Sequence, residues 1–357
     1  MYNSYKKKSY HQRLSDAINW LRFPLIFLII MLHCYSVQRL EGDYALYFKV
    51  LYPCSLWLGE TGVPGFFFIS GYLFYLSKKT YSLKIKNRIS TLLIPYFLWN
   101  SMFLLLYLIL YAMGHPLDIN RRNLADYQFI DFIRLYWDRG EFDHGNFVPL
   151  LCPMWYIRNL FIMSLISPLL YYFIKSAREL FLFVIATWWL FSSHNAFIPQ
   201  TVLFFSLGAY FSILEVNPLE VIKKRKVWFV TLFIIFGIGD IVTHTIIGTP
   251  MKLQIHRLAL TFNIPALLLF AEYRSMHAPA SRIQFLAQSS FIVFCIHYPL
   301  VLVLRKFCVT YFKFANNGTH IVLYFICVVI ATILSLGFYR VLDKYFPKTK
   351  QLLSGNR

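Results

Sequence analysis

The sequence predicts an all-α polytopic integral membrane protein of about ten transmembrane helices with both termini cytoplasmic. Three observations predict it. Hydrophobic residues make up 58% of the 357-residue chain and charged residues only 14%, with a mean hydropathy of +0.54. Apolar runs of spanning length recur along the whole chain. Lysine and arginine concentrate in alternate connections, the bias that fixes which ends face inward. This composition excludes a water-soluble globule.

The first span, 17–37, follows a basic tail (1–16) with Lys6, Lys7, Lys8 and Arg13. Its length, its internal polar groups and the lack of a small-residue cleavage site mark a retained span and not a signal peptide. Further spans are expected at 57–77, 91–113, 153–174, 180–193, 199–214, 227–247, 256–272, 285–306 and 319–341. The fifth and sixth are short, which predicts a tilted, broken or re-entrant element. A basic connection over 78–90 and a second short tail over 342–357 fall on the same side as the N-terminus. With no internal repeat or linker in view, residues 1–357 read as one domain.

The outer loop 114–151 carries Asp118, Asp126, Asp131, Asp138, Glu141 and Asp143 beside Tyr127, Tyr136 and Trp137. Acids and aromatics grip sugars by hydrogen bonds and ring stacking, but a solvated amphipathic cap has the same composition. The net charge of +19 is spread over loop after loop on one side, so it signals anionic lipid and topology, with no nucleic-acid partner. The six cysteines form no CxxC and no zinc or iron–sulfur pattern, so no metal is expected. Cys54 and Cys152 fall near one face and would pair in an oxidising compartment. Neither a GxxxxGK[ST] nor a GxGxxG nor a GxSxG is present, which removes support for ATP-driven transport and dinucleotide chemistry.

Ionisable groups at membrane depth are costly and are usually retained for function. Arg22 and His33 lie in the first span eleven residues apart, which returns to within roughly 20° of one helix face and separates them by about 16 Å along the axis. One passage lined by both is the expectation. The cations of 84–88 suit an anionic cytosolic ligand such as a nucleotide phosphate. Asp240 and Arg257, in the seventh and eighth spans, would pair.

Six stretches carry a family resemblance: Asn19–Arg22 followed by His33; Gly62–Leu73 with Ser70; Arg88 ahead of Leu92–Pro95; Pro153–Leu160 with Trp155, Arg158 and Asn159; Phe204–Tyr210; and Ser289–His297. In this order they resemble the membrane-bound acyltransferase family 3, which contains O-antigen and exopolysaccharide O-acetyltransferases. The pattern departs from the family at Asn19 and Thr91, where an acid and a second arginine are frequent.

The resemblance implies transfer of an acyl group, acetyl first and succinyl second, from cytosolic acyl-CoA to a hydroxyl of a surface or secreted glycan at the cytoplasmic membrane. It gives His33 as general base and Arg158 as oxyanion or sugar ligand. It gives Arg22, Lys84, Lys86 and Arg88 to the acyl-CoA, and Ser70, Trp155, Asn159 and His297 to substrate or structural roles. The acceptor is a glycan, lipid-linked or free, and no oligomeric state is implied. The competing reading is a transporter or flippase with Arg22, His33 and Asp240 as an ion relay.

Overall fold

The computed structural model describes residues 10–35, 40, 42–115, 118–119, 122–140, 147–193, 197–246, 251–277 and 279–356. Lys6, Lys7 and Lys8 of the first tail, the loop acids Glu141 and Asp143, and the end of the expected first span at 36–37 lie outside the described residues.

Helix α1 (Tyr10–Cys34) is followed by α2 (Ala45–Tyr52). A π-turn over Pro53–Leu58 and a 3₁₀ turn over Gly59–Thr61 then lead into α3 (Gly62–Leu76). Helix α4 (Tyr81–Arg88) passes through a second π-turn, Ile89–Leu93, into α5 (Ile94–Ala112). The long loop holds a two-stranded ribbon, β1 (Asp118–Ile119) with β2 (Arg122–Asn123), and the short α6 (Phe129–Arg134). Then come α7 (Met154–Leu165), α8 (Ser167–Phe191), α9 (Phe197–Ile213) and α10 (Pro218–Lys224). The chain closes with α11 (Lys226–Thr245), α12 (Lys252–His277), α13 (Ala280–Tyr311), α14 (Asn317–Tyr345) and α15 (Pro347–Ser354).

The protein is a polytopic helical membrane protein, with fewer uninterrupted spans than ten. Among the described residues six helices are long and apolar enough to cross a membrane, and up to eight crossings result if each of two bent pairs counts as one. The difference lies in the backbone. The second expected span contains an α-helix of only 15 residues, α3, prolonged by the preceding turns. The fourth and fifth are one run bent by 66° at Ile166 and broken again at Arg178, whose φ of 40° is not helical. The sixth, α9, meets α10 at a 93° bend.

Helix α1 is the axis of the bundle, packed against α3, α12, α13 and α14. Its buried stripe includes Leu14, Leu21, Leu25, Ile29 and Ile30, which recur at the three- and four-residue spacing of one helix face. Contrast α11, where Val227, Trp228, Ile235 and Ile238 are all more than half exposed; an apolar surface of that kind faces lipid. Helices α3 and α9 touch backbone to backbone. A Cβ on Gly71 would meet the Phe205 carbonyl, and one on Gly208 the Phe68 carbonyl, each at 2.0 Å. Small residues permit such an approach between membrane helices, where dispersion replaces the hydrophobic drive.

The long loop is exposed over much of its described first half and packed in its second. Leu135, Val148, Leu150 and Leu151 are buried, and the Leu151 N–H donates to the Asn100 side chain (3.2 Å). Tyr96 donates its hydroxyl to the Tyr136 carbonyl. The second half of the loop therefore folds back against α5 and α7, with its polar backbone bonded to side chains as a low-dielectric interior demands. The Cys54 and Cys152 side chains are thiols, not a disulfide.

Candidate active site

A cavity of about 430 Å³ opens between α1, α3, α4, α7 and α13. Four cations line it: Arg22, Lys79, Lys84 and Arg88. No carboxylate is among its described lining residues. Four cations without a counter-anion form a strong anion site, since charge-assisted hydrogen bonds gain strength where water is scarce. Lys84 sits 5.0 Å above the Phe74 ring and Arg88 5.5 Å from it, a placement the ring quadrupole favours. The remaining wall is apolar, with Ile26, Phe66, Ile69, Phe291 and Phe294, joined by the polar Ser70, Tyr156, Gln288 and Ser290.

Helix geometry explains which expected donor contacts converge. Residues 84 and 88 are one turn apart on α4 and share a face, whereas Lys86 is rotated by about 200° from Lys84. Lys86 accordingly is exposed and does not line the cavity, unlike Arg22, Lys84 and Arg88 with which it was expected to converge. Lys79, just before α4, lines the cavity. The π-turn 89–93 brings Thr91 into the wall; such one-turn irregularities recur at functional sites.

His33 is not in the wall, so the expected single passage lined by Arg22 and His33 is absent as one cavity. The histidine lies one ring beyond it. The Phe294 ring lines the cavity and is 5.9 Å from His297, whose ring is 5.4 Å from His33. Tyr298 packs edge-on at 5.1 Å from His33. His33 is fixed by its place in the last turn of α1, where carbonyls lack intrahelical donors. Arg305 donates to the His33 carbonyl (3.2 Å) and the Tyr324 hydroxyl to that of Met31 (3.1 Å).

His297 is fully buried. Its Nδ1 is 2.7 Å from the Phe294 carbonyl and 3.2 Å from that of Val293. Carbonyls only accept, so the proton sits on Nδ1 and the neutral ring carries its lone pair on Nε2. Nε2 is buried with no hydrogen-bond partner among the described residues.

The other expected site residues have structural partners. Arg158 donates to the Trp137 carbonyl (2.7 Å) and through Nε and Nη2 to the Asn159 Oδ1 (3.1 and 3.0 Å), and it lies 4.5 Å from the Trp137 ring. This anchors the long loop on α7; Arg158 does not line the cavity, in contrast to its expected contact with the oxyanion or sugar. Asn159 donates to Thr201 (3.3 Å), and Trp155 stacks on Phe197 at 4.1 Å. Ser70 does line the cavity, but its partner is the Tyr156 hydroxyl (3.4 Å) and not an imidazole. That pairing lacks the base an acyl-enzyme nucleophile requires.

Asp240 and Arg257 do not pair. Arg257 donates to the carbonyls of Trp189, Leu190, Ser192 and Ser193, the unfilled acceptors at the end of α8. Asp240 accepts from Tyr52 (2.8 Å) and lies 2.9 Å from His256 Nδ1, while His256 Nε2 is 3.0 Å from Glu60. An imidazole with a carboxylate at each nitrogen donates through both. The expected relay of Arg22, His33 and Asp240 therefore has its acid committed to a separate cluster.

Comparison with known proteins follows the same division. A family model described as "Acyltransferase domain" matches residues 15–340, which include the cavity and both histidines. The succinoglycan biosynthesis protein ExoH of Rhizobium meliloti (strain 1021) is 28% identical over 219 residues, covering 57% of this chain and 55% of ExoH. The alignment thus spans about half the length of that curated relative. No solved structure matches.

Proposed function

The chain belongs to the acyltransferase family, and we propose that it moves an acyl group from cytosolic acyl-CoA to a hydroxyl of a cell-surface or secreted glycan, from within the cytoplasmic membrane. Acetyl is the first choice of acyl group and succinyl the second. The observation that carries this reading is the cavity lined by four cations, with an apolar wall that stops one ring short of a histidine pair.

In this reading Arg22, Lys79, Lys84 and Arg88 hold the phosphates of the donor. The pantetheine arm lies along Phe66, Ile69 and Phe291, and its thioester reaches the histidines as the Phe294 ring turns aside. His33 takes the proton of the acceptor hydroxyl while the oxygen attacks the thioester carbonyl. Collapse of the tetrahedral adduct breaks the C–S bond, and the thiolate leaves with that proton as CoA thiol. A base so placed contributes typically about 10²- to 10⁴-fold. The glycan acceptor draws support from the relative's part in succinoglycan biosynthesis.

The test uses purified protein in lipid nanodiscs with acetyl-CoA or succinyl-CoA and an acceptor glycan. Free thiol and acylated glycan are expected in equal amounts, both lost in His33→Ala at normal folded yield. Arg22→Gln and Arg88→Gln are expected to raise the donor KM and leave that of the acceptor unchanged. Solute movement without thiol release, or equal effects on both KM values, overturns the assignment.

A further inference from the structure

The His33–His297 pair shows more than its proximity to the cavity. His297 is locked as an Nδ1–H tautomer by the carbonyls of its own helix. Pro299, two residues on, has no N–H to offer the helix. The far edge of the ring, with Nε2, is turned from that backbone and buried without a partner. An unfilled acceptor in a dry interior costs free energy, and native proteins seldom leave one without a use.

The ring next to it is His33. Its centroid is 5.4 Å away at an interplanar angle of 38°. Each imidazole nitrogen lies roughly 1.2 Å from its ring centre, so at this separation a turn of the His33 ring that points one nitrogen at Nε2 brings the two to about 3 Å, within reach of one N–H···N bond; in the arrangement seen here that bond is not made. The charged and titratable groups around His33 are Arg305, which holds its carbonyl, Arg139 of the long loop, and Tyr298. The guanidinium groups of this set only donate and cannot accept the His33 N–H; the Nε2 lone pair of His297 can.

We propose that His297 is a positioning residue for acyl transfer: its Nε2 accepts the N–H of His33 and fixes the tautomer whose opposite nitrogen takes the acceptor's proton. This rests on the acyl-transfer reading above for its chemistry, but not for its geometry. During transfer the hydroxyl proton moves to the free nitrogen of His33 and on to the departing thiolate, while the proton shared with His297 stays between the rings. His297 is neither acylated nor a net acceptor of a proton. The arrangement assigns the second imidazole the orienting part that a carboxylate plays in a hydroxyl–histidine–acid triad.

Two measurements test it, and one is independent of turnover. In ¹⁵N-histidine-labelled protein, His297 is expected protonated on Nδ1 and bare on Nε2, with the Nε2 resonance moving in His33→Ala. Protonation on Nε2, or a signal indifferent to His33, overturns the proposal even if no acyl-CoA is turned over. In turnover, His297→Asn keeps a donor for the Phe294 carbonyl and removes Nε2. Its kcat is expected to fall about 10²- to 10³-fold with donor KM and folded yield unchanged. His297→Gln, which returns an acceptor oxygen near the lost nitrogen, is expected to recover part of that loss. The double variant with His33→Ala is expected to lose no more than His33→Ala alone. A His297→Asn kcat within twofold of wild type, or losses that multiply in the double variant, contradicts it.

Discussion

The histidine clusters around His256 and His297 differ in what their ring nitrogens have left to give. His256, on α12, has a carboxylate at each nitrogen, Asp240 at 2.9 Å and Glu60 at 3.0 Å, with Tyr52 closing the network. His297, on α13, spends Nδ1 on its own helix and keeps Nε2 unfilled beside His33, one ring from the cationic cavity. A saturated imidazole is a cross-link; one with a lone pair to spare can accept the N–H of a neighbouring ring. Sequence position alone does not separate them, for each histidine lies on an apolar helix.

The sharpest way to break this comparison is to delete the base. His33→Ala is expected to cut turnover by about 10²- to 10⁴-fold at an unchanged melting temperature, measured as thiol release per folded protein. Next in size is the opposite case. Asp240→Ala leaves His256 and Tyr52 short of their acceptor, and breaking a buried ion pair on one side costs about 3–5 kcal/mol. A lowered melting temperature with turnover per folded molecule within about twofold of wild type is expected; lost turnover in a stable variant would move the acid into the reaction.

Smaller effects sharpen the boundary of the cavity. Arg88→Gln removes a charge-assisted contact of about 1.5–3 kcal/mol and is expected to raise the donor KM roughly tenfold or more. Lys86→Gln, half a helical turn away, is expected to leave it unaltered. The smallest change concerns the loop. The Arg122 guanidinium donates to Asp131 (2.9 Å) and, with the Gln128 N–H, holds its carboxyl below the usual range. A depressed carboxyl adds stability above its ordinary value and loses it as pH falls through the lowered one. Asp131→Asn is therefore expected to leave the melting temperature unaltered within error when the wild type is itself already protonated there, in strong acid, and to lower it only slightly at neutral pH.

Much of this was legible in the chain. Apolar runs marked the spans, and the spacing of Arg22 and His33 placed both on α1. Lys84, Lys86 and Arg88 read as one cationic cluster, whereas the i, i+4 step puts only Lys84 and Arg88 on the face that meets the cavity. What was not legible depended on long-range partners. Glu60 reaches His256 across 196 positions, so a local Asp240–Arg257 pair was the natural but mistaken expectation. Asp138 reads as a loop charge, although it is buried. The bend at Ile166 falls inside the expected fourth span, just ahead of Pro168, whereas the break at Arg178 lies where Lys175 to Glu179 already interrupt the apolar sequence between the expected fourth and fifth spans; the orphaned Nε2 of His297 follows from where one ring hydrogen bond goes.

The most direct test sets the two clusters side by side in one preparation. Thiol release from acetyl-CoA with acceptor glycan, and the melting temperature, are measured for wild type, His33→Ala and His256→Gln. The account predicts a stable, silent His33→Ala and a less stable His256→Gln that still turns over. The reverse pattern, an active His33→Ala beside a stable and inactive His256→Gln, would contradict it.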